Sequence, residues 1–356
     1  MGSLKILTAP EQVAAHLRGE LARGRWRRVM PGEDRMIAEL GIGRHTIKAA
    51  LKLLETEGWL ENLGAGRQRR IVPQKASPVN LRIRILLYKS SDRNLPENLA
   101  LMARLQETGF SADYAKNSQQ GLGMNLGRII RFVEKHPADA WVISAGSREV
   151  LEWFADRPVP AFAMLGSFSG IPIAGACPRK TPAMQEAVRR LVDYGHRRIV
   201  MLTREDRRKP RPALFEQNFL DELARHGIAT SAYHLPDWKE DAEGLHTCLE
   251  MLFGHTPPTA IIFADPDFYH AVHHFLARRR MAVPEDISLV YNDPDPGFAW
   301  CRPQVVHFRW GFSHLIRRVL RWADNIDRGK EDKRQTLFDA EYVEGGTIGP
   351  ARKDRR

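Results

Sequence analysis

Arg44, His45, Thr46 and Lys48 cluster at the start of a stretch whose apolar residues, Ile47, Leu51 and Leu54, repeat with helical spacing. Guanidinium groups pair bidentately with guanine, and threonine contacts bases or phosphates. A helix lying in the DNA major groove presents its N-terminal residues to the base edges. Further along, the glycine turn Gly64-Ala65-Gly66 permits close backbone approach, and Arg67, Arg69 and Arg70 follow it with charges suited to phosphate or minor-groove contact. Arg25, Arg27 and Arg28 supply further backbone contacts or a solvated face. The signals for catalysis are poorer. No Gly-x-Ser-x-Gly elbow and no phosphate-cradling glycine motif occurs, and Gly121-Leu122-Gly123 lacks the glycine that would complete a dinucleotide site. His270, His273 and His274 have a spacing that metals use, but no glutamate completes a protease pattern, so a solvated or packing face is favoured and no metal or other cofactor is expected. Cys177, Cys248 and Cys301 have neither metal-type spacing nor a disulfide framework, and they read as reduced thiols of a cytoplasmic protein.

The elements that must position these residues follow from periodicity. Helices are predicted over 10–24, 33–40 and 44–57, with Gly24, Gly41 and Gly58 as stops, and short strands over 59–61 and 70–72 flank the glycine turn. Three helices and a hairpin make a winged helix-turn-helix over 1–72. The polar, proline-bearing stretch 73–80 is a linker. From Ile83 onward, short apolar strands alternate with helices, which implies parallel sheets in an α/β fold. The length of 81–350 implies two lobes that bind an effector and dimerise, ahead of a basic tail at 351–356. Ser90 and Ser91 end the first of these strands, where open α/β folds place ligands, and Arg148 lies just past the strand at 140–144.

Composition agrees with this division. The 356 residues suit two domains, 43% are hydrophobic, and the formal net charge is +11. Residues 1–75 hold 14 Lys/Arg against 8 Asp/Glu, so a short part of the chain carries over half of the excess, as a nucleic-acid partner would favour. No apolar run reaches membrane-spanning length and the first ten residues lack a signal-peptide core, so neither a membrane association nor secretion is expected.

Residues 10–72 resemble the DNA-binding domain of the gluconate-repressor (GntR) family. The likeness runs from Met30-Pro31-Gly32-Glu33 through Ile37-Ala38-Glu39-Leu40-Gly41-Ile42-Gly43-Arg44-His45-Thr46-Ile47-Lys48-Ala49-Ala50-Leu51 to Leu54-Glu55-Thr56-Glu57-Gly58-Trp59-Leu60. The resemblance implies that Arg44, His45, Thr46 and Lys48 contact DNA and that Gly66 and Arg67 form the wing tip. The family's Ser-Glu-Arg at the second helix is Gly32-Glu33-Asp34 here, which leaves Arg35, one place on, as the corresponding cation. Gly43 stands for a usual serine.

Residues 82–350 resemble the lactose/galactose-repressor (LacI/GalR) family, which shares the fold of periplasmic sugar-binding proteins. The combined layout is similar to arabinose-repressor-type regulators. The likeness rests on Leu191-Val192-Asp193-Tyr194-Gly195-His196-Arg197-Arg198-Ile199, on Pro236-Asp237-Trp238, on Val283-Pro284-Glu285-Asp286-Ile287-Ser288-Leu289-Val290 followed by Asp293, and on Arg302-Pro303 with Val305-Val306. It implies that Asp293 accepts sugar hydroxyls, that Trp238 packs on the sugar ring and that Asp265 stands at a position usually Asn. Three departures accompany it. Phe215 replaces a usual effector-helix Arg, for which Arg211 is the nearby substitute. Arg179-Lys180 replaces a usual Asp-Asn, and Asp265-Pro266 a usual Asn-Asp.

The two resemblances together imply a ligand-responsive bacterial transcriptional regulator. It is expected to bind operator double-stranded DNA as a homodimer, to act as a repressor, and to be released when a sugar or sugar derivative binds between its lobes. A sugar acid or another ligand stays open. The competing reading is an enzyme-type or metal-sensing regulator with a non-sugar ligand.

Overall fold

The structure is a computed structural model, and it describes residues 8–22, 26, 29–64, 67–72, 81–263 and 265–352. Arg25, Arg27, Arg28, Gly66, the 73–80 linker and residues 353–356 of the basic tail lie outside the described residues.

The expected N-terminal elements are present. They are α1 (Ala9–Ala22), α2 (Glu33–Leu40), α3 (Arg44–Thr56), β1 (Leu60–Glu61) and β2 (Arg70–Ile71). The two strands pair antiparallel, Leu60 with Ile71 and Glu61 with Arg70. Leu17, Met36, Ile47, Leu51, Leu54 and Leu60 form one buried cluster, so each helix contributes its apolar stripe to a shared core. Gly41 stops α2 in the left-handed conformation at φ 63°, which a glycine adopts without a Cβ clash. Arg18 of α1 donates twice to Glu57 beyond α3, at 2.9 and 2.7 Å, and ties the first helix to the end of the third.

The second part alternates strand and helix. β3 (Arg82–Leu86), α4 (Pro96–Glu107), β4 (Ser111–Tyr114), α5 (Leu126–Lys135), β5 (Ala140–Ser144), α6 (Arg148–Ala155), β6 (Ala161–Met164) and β7 (Ala174–Arg179) come first. Then follow α7 (Thr181–Asp193), β8 (Ile199–Leu202), α8 (Glu205–Arg208), α9 (Leu214–Arg225), α10 (Ala242–His255), β9 (Ala260–Phe263), α11 (Pro266–Arg278) and β10 (Ser288–Tyr291). The last elements are β11 (Val306–Arg309), α12 (Phe312–Asp327), β12 (Gln335–Asp339) and β13 (Glu341–Val343). The strands of this part make two sheets, ordered β12-β7-β6-β5-β3-β4 and β13-β11-β10-β9-β8, in keeping with the two lobes expected. The chain divides into two compact units, Met1–Ile143 with Asp156–Phe162 and Ile316–Arg334, and Ser144–Ala155 with Ala163–Leu315 and Gln335–Arg356.

In the five-stranded sheet β8, β9, β10 and β11 run parallel and β13 antiparallel to β11. Both faces are buried, which explains the continuous apolar runs. Val200, Leu202, Ile261, Phe263 and Leu289 join Leu249 of α10 and Val272 of α11 in one cluster. Ile199, Met201, Ile262, Val290 and Val306 join Val188 of α7 and Phe219 of α9 in the other. This period of two sorts the strand residues between the two faces, and Thr203, Arg204, Asp265, Asp293 and Trp310 lie just beyond the carboxyl ends of four strands. Open α/β sheets put their ligands at that edge. No helix of the described residues is long and apolar enough to cross a membrane.

Candidate DNA interface and effector site

The buried face of α3 is Ile47, Ala50, Leu51 and Leu54. Packing that face against the core turns Arg44, His45 and Lys48 to solvent and leaves Thr46 half-buried. Lys52, which the motif reading missed, is exposed at the same four-residue spacing and extends the cationic row. Arg44 pairs with Asp34 of α2, and Arg35 donates to Glu39 of its own helix at 3.0 Å. Both pairs are exposed, so a phosphate or base edge can displace the carboxylate at small cost. Gly43 caps α3 without a side-chain acceptor.

On the wing, Arg67 is exposed, and its N–H donates to the Gly64 carbonyl at 3.3 Å. Arg69 is a correction to the expectation that it serves phosphate contact. It is 18% exposed, pairs with Glu55 of α3 and donates to Glu33 of α2 at 3.2 Å, so it fastens the wing to both helices. Arg70 pairs with Glu61 across the hairpin.

At the carboxyl edge of the five-stranded sheet, charged groups are paired in depth. Asp265 caps α11, accepting from the Asp267 N–H at 3.1 Å, and its other oxygen accepts from Arg204 Nε and Nη2 at 3.2 and 2.9 Å. Asp293 Oδ1 lies 2.5 Å from Lys180 Nζ and accepts from Trp310 Nε1 at 2.8 Å. Arg207 of α8 donates from Nε to Glu216 at 3.2 Å and from Nη1 to Ser167 Oγ at 2.6 Å. Thr203 also donates to Glu216, at 3.3 Å. Burial pushes the Asp206 carboxyl above its usual range, although Arg204 and Arg207 act in the opposite direction. Burial likewise raises the Tyr291 phenol, and Asp293 and Asp265 add to that rise. Burial pushes the Cys177 thiol up to about 11, with Lys180 and Arg207 opposing it. Lys180, Arg204, Arg207 and Trp310 were not marked as site residues by motif. The one available signal for them was the basic Arg179-Lys180 where the resembled family is acidic.

Other expected residues fall elsewhere. Trp238 is 6% exposed and sits in the core, edge-on to Phe268 at 5.1 Å and beneath the Arg208 guanidinium at 5.0 Å. Packing, rather than the implied stacking on a ligand ring, occupies its indole. Arg148 donates to the Ser169 carbonyl at 2.9 Å and pairs with Glu152 at 2.8 Å. Arg211 is exposed between α8 and α9, and Arg207, not Arg211, engages α9. Ser90 and Ser91 are exposed in the 3-10 turn Ser90–Asn94, with Ser90 Oγ 3.3 Å from Ser118 Oγ. His273 is packed on Tyr269 at 4.4 Å, and burial, then His270 and His274, holds its pKa down.

Residues 9–66 match the family of bacterial regulatory proteins of the gntR type, and residues 188–348 match the periplasmic binding protein-like domain. The chain is a transcriptional regulator built from these two domains. No curated protein matches it in sequence. Solved structures of LacI-family regulators share the regulator's fold. One from Bacillus cereus subsp. cytotoxis superposes with a TM-score of 0.63 at 14% identity, over 77% of this chain and 100% of that one. An Enterococcus faecium LacI-family regulator with bound ribose gives 0.59 at 13% identity, over 76% and 100%. An Escherichia coli sugar-binding LacI-family regulator complexed with phosphate gives 0.57 at 17%, over 76% and 99%. At these identities the likeness concerns the fold, and the regulator's ligand chemistry has to be read from its own residues.

Proposed function

We propose that the chain is a ligand-responsive repressor that binds operator double-stranded DNA as a homodimer. Residues 1–72 read DNA, with Arg44, His45, Thr46 and Lys48 at base edges or phosphates, Arg35 and Lys52 beside them, and Gly66 and Arg67 at the wing tip. Residues 81–350 sense an effector of sugar or sugar-derived type near Asp265 and Asp293, and carry the dimer contacts. The observation that supports this most is α3 itself: an apolar stripe seated in a gntR-type core, with an exposed row of Arg44, Lys48 and Lys52 opposite. The effector acts without a catalytic step, through its different affinities for the DNA-bound and released states. The protein works in the cytoplasm, where its DNA is.

The test is selection of bound sequences from a random duplex library with the full-length protein. Two related half-sites about one helical turn, or a multiple, apart are expected of a dimer. On the selected duplex, Arg44→Ala should lose about 10–100-fold in affinity with unchanged thermal unfolding, in line with the ~1–3 kcal/mol of a base contact. Equal affinity of the variant would remove α3 as the reading helix.

A further inference from the structure

The two carboxylates that a sugar-reading site would use as hydroxyl acceptors are largely taken up by the protein. A carboxylate has about four lone-pair sites. Asp293 gives Oδ1 to both Lys180 and Trp310, and the Asn292 amide, turned to satisfy its neighbours, donates to Oδ2 at 3.0 Å. Asp265 gives one oxygen to the Asp267 N–H and the other to two nitrogens of Arg204. A neutral sugar, which offers hydroxyl donors, finds few open acceptors there.

The cations are placed differently. Glu216 and Asp265, which hold Arg207 and Arg204, are 2% and 4% exposed, whereas the side chains of Arg207, Arg204 and Lys180 are 27%, 19% and 20% exposed. In the two arginine pairs the anions are therefore the inner layer and the N–H donors the outer one, whereas Lys180 and Asp293, at 20% and 24%, are about equally exposed. Buried carboxylates fix the two guanidinium planes, and the charge these two pairs turn towards solvent is positive. Lys180 carries three N–H groups, and one carboxylate oxygen pairs with it. Lys180 is tied to Asp293 beyond β10, and Arg204 and Arg207 follow β8 at the same carboxyl edge of that sheet. Fixed guanidinium and ammonium donors of this kind match the planar or tetrahedral oxygens of an oxyanion.

We propose that the effector carries an oxyanion, a carboxylate or a phosphate, held by Lys180 and Arg207 beside Arg204, and is not a neutral sugar read through Asp293. This rests on the ligand-sensing reading above and names the chemical class that the site takes.

The test uses the full-length protein at constant ionic strength, with thermal unfolding and calorimetric titration. The probes are gluconate and glucuronate for a carboxylate, glucose 6-phosphate and inorganic phosphate for a phosphate, and glucose and ribose as neutral controls. At least one oxyanion probe should raise the melting temperature in a concentration-dependent way while the neutral sugars do not. The probe that responds tells carboxylate from phosphate. Lys180→Met should weaken that binding at least tenfold. Arg207→Gln alone would strand buried Glu216, so it is paired with Glu216→Gln, and the double variant should weaken binding to a similar degree. Arg309→Gln, on the exposed pair with Glu341, should bind as the parent does. Three results would overturn the proposal: neutral sugars binding as tightly as their acids, no response to any oxyanion probe, or both variants binding within twofold of the parent. A neutral sugar that releases the selected DNA while every acid is inert would overturn this inference alone and leave the regulator reading standing.

Discussion

Lys180, the residue that precedes α7, and Asp293, just beyond β10, bring Nζ and Oδ1 to 2.5 Å, and Trp310 Nε1 donates to the same oxygen. The Lys180 ammonium also lies 5.9 Å from the centre of the Trp310 ring. One carboxylate oxygen thus organises the residues that follow β7, β10 and β11. Asp293→Ala should leave both donors without an acceptor and lower stability by about 1–3 kcal/mol. Asp293→Asn keeps an acceptor for the indole and should cost less. Thermal unfolding of the two variants measures the difference, and equal melting temperatures would show that the ammonium and the indole find other partners.

The wing arginines should separate by role. Arg69 spans Glu55 and Glu33 in a half-buried setting, while Arg70 pairs with Glu61 in the open. Arg69→Ala leaves two carboxylates facing each other with no cation between them. It should destabilise the N-terminal domain by about 1–3 kcal/mol. Arg70→Ala should stay within about 1 kcal/mol. The unfolding transition of the N-terminal domain reads both, and an Arg69→Ala protein as stable as the parent would return that residue to the DNA-contacting set.

How far the sequence carries can be judged from these same residues. Ile47, Leu51 and Leu54 repeat at helical spacing, so α3 and its exposed cations are legible in the sequence. The alternating strands were legible because parallel strands buried on both faces are written as apolar runs. β7 was not, because Ala-Gly-Ala-Cys-Pro-Arg lacks the β-branched and aromatic residues that mark a strand. Nor were α6, α12, β12 and β13. Side-chain roles were the least legible. Arg67, Arg69 and Arg70 look alike in sequence, and only the position of Glu55 and Glu33 in the fold sets Arg69 apart. Trp238 carries the type expected of a sugar platform, yet Phe268 and Arg208 enclose it. Lys180 and Asp293 are distant in sequence, and their contact exists only once β7 and β10 are both placed.

The cap of α3 offers a gain. Gly43 has φ −60° and ψ 147°, no side-chain cap bond, and open space where a Cβ would stand. A serine fits that conformation and adds an oxygen for the first-turn N–H groups. Gly43→Ser should raise stability by a few tenths of a kcal/mol, with a further gain from the lower entropy of the unfolded chain. A lower melting temperature would mean that the added hydroxymethyl group meets something at the helix start. The same variant assayed on the selected duplex reports whether the open helix start is needed for DNA.

Stability should fall in mild acid because of His196. Its Nε2 donates to the Gly349 carbonyl at 2.9 Å and lies 3.1 Å from Ser288 Oγ, which leaves Nδ1 buried and without a partner. Protonating Nδ1 would bury an unpaired charge, so burial holds the pKa below its ordinary value of 6.5, with the Gly349 bond opposing. The sign follows from proton binding. Above pH 6.5 the imidazole is neutral in both the folded and unfolded chain, and the stability it allows is fully present. Below 6.5 the unfolded chain takes up a proton that the folded one resists, so stability drops by up to about 1.4 kcal/mol per pH unit until the lowered folded pKa is reached. His273, also held down by burial, acts in the same window. Melting temperatures between pH 8 and 5.5 should therefore decline below about 6.5. His196→Gln, which keeps a donor for Gly349 but does not titrate, should flatten the decline without abolishing it. A decline as steep in the variant as in the parent would place the titrating group elsewhere.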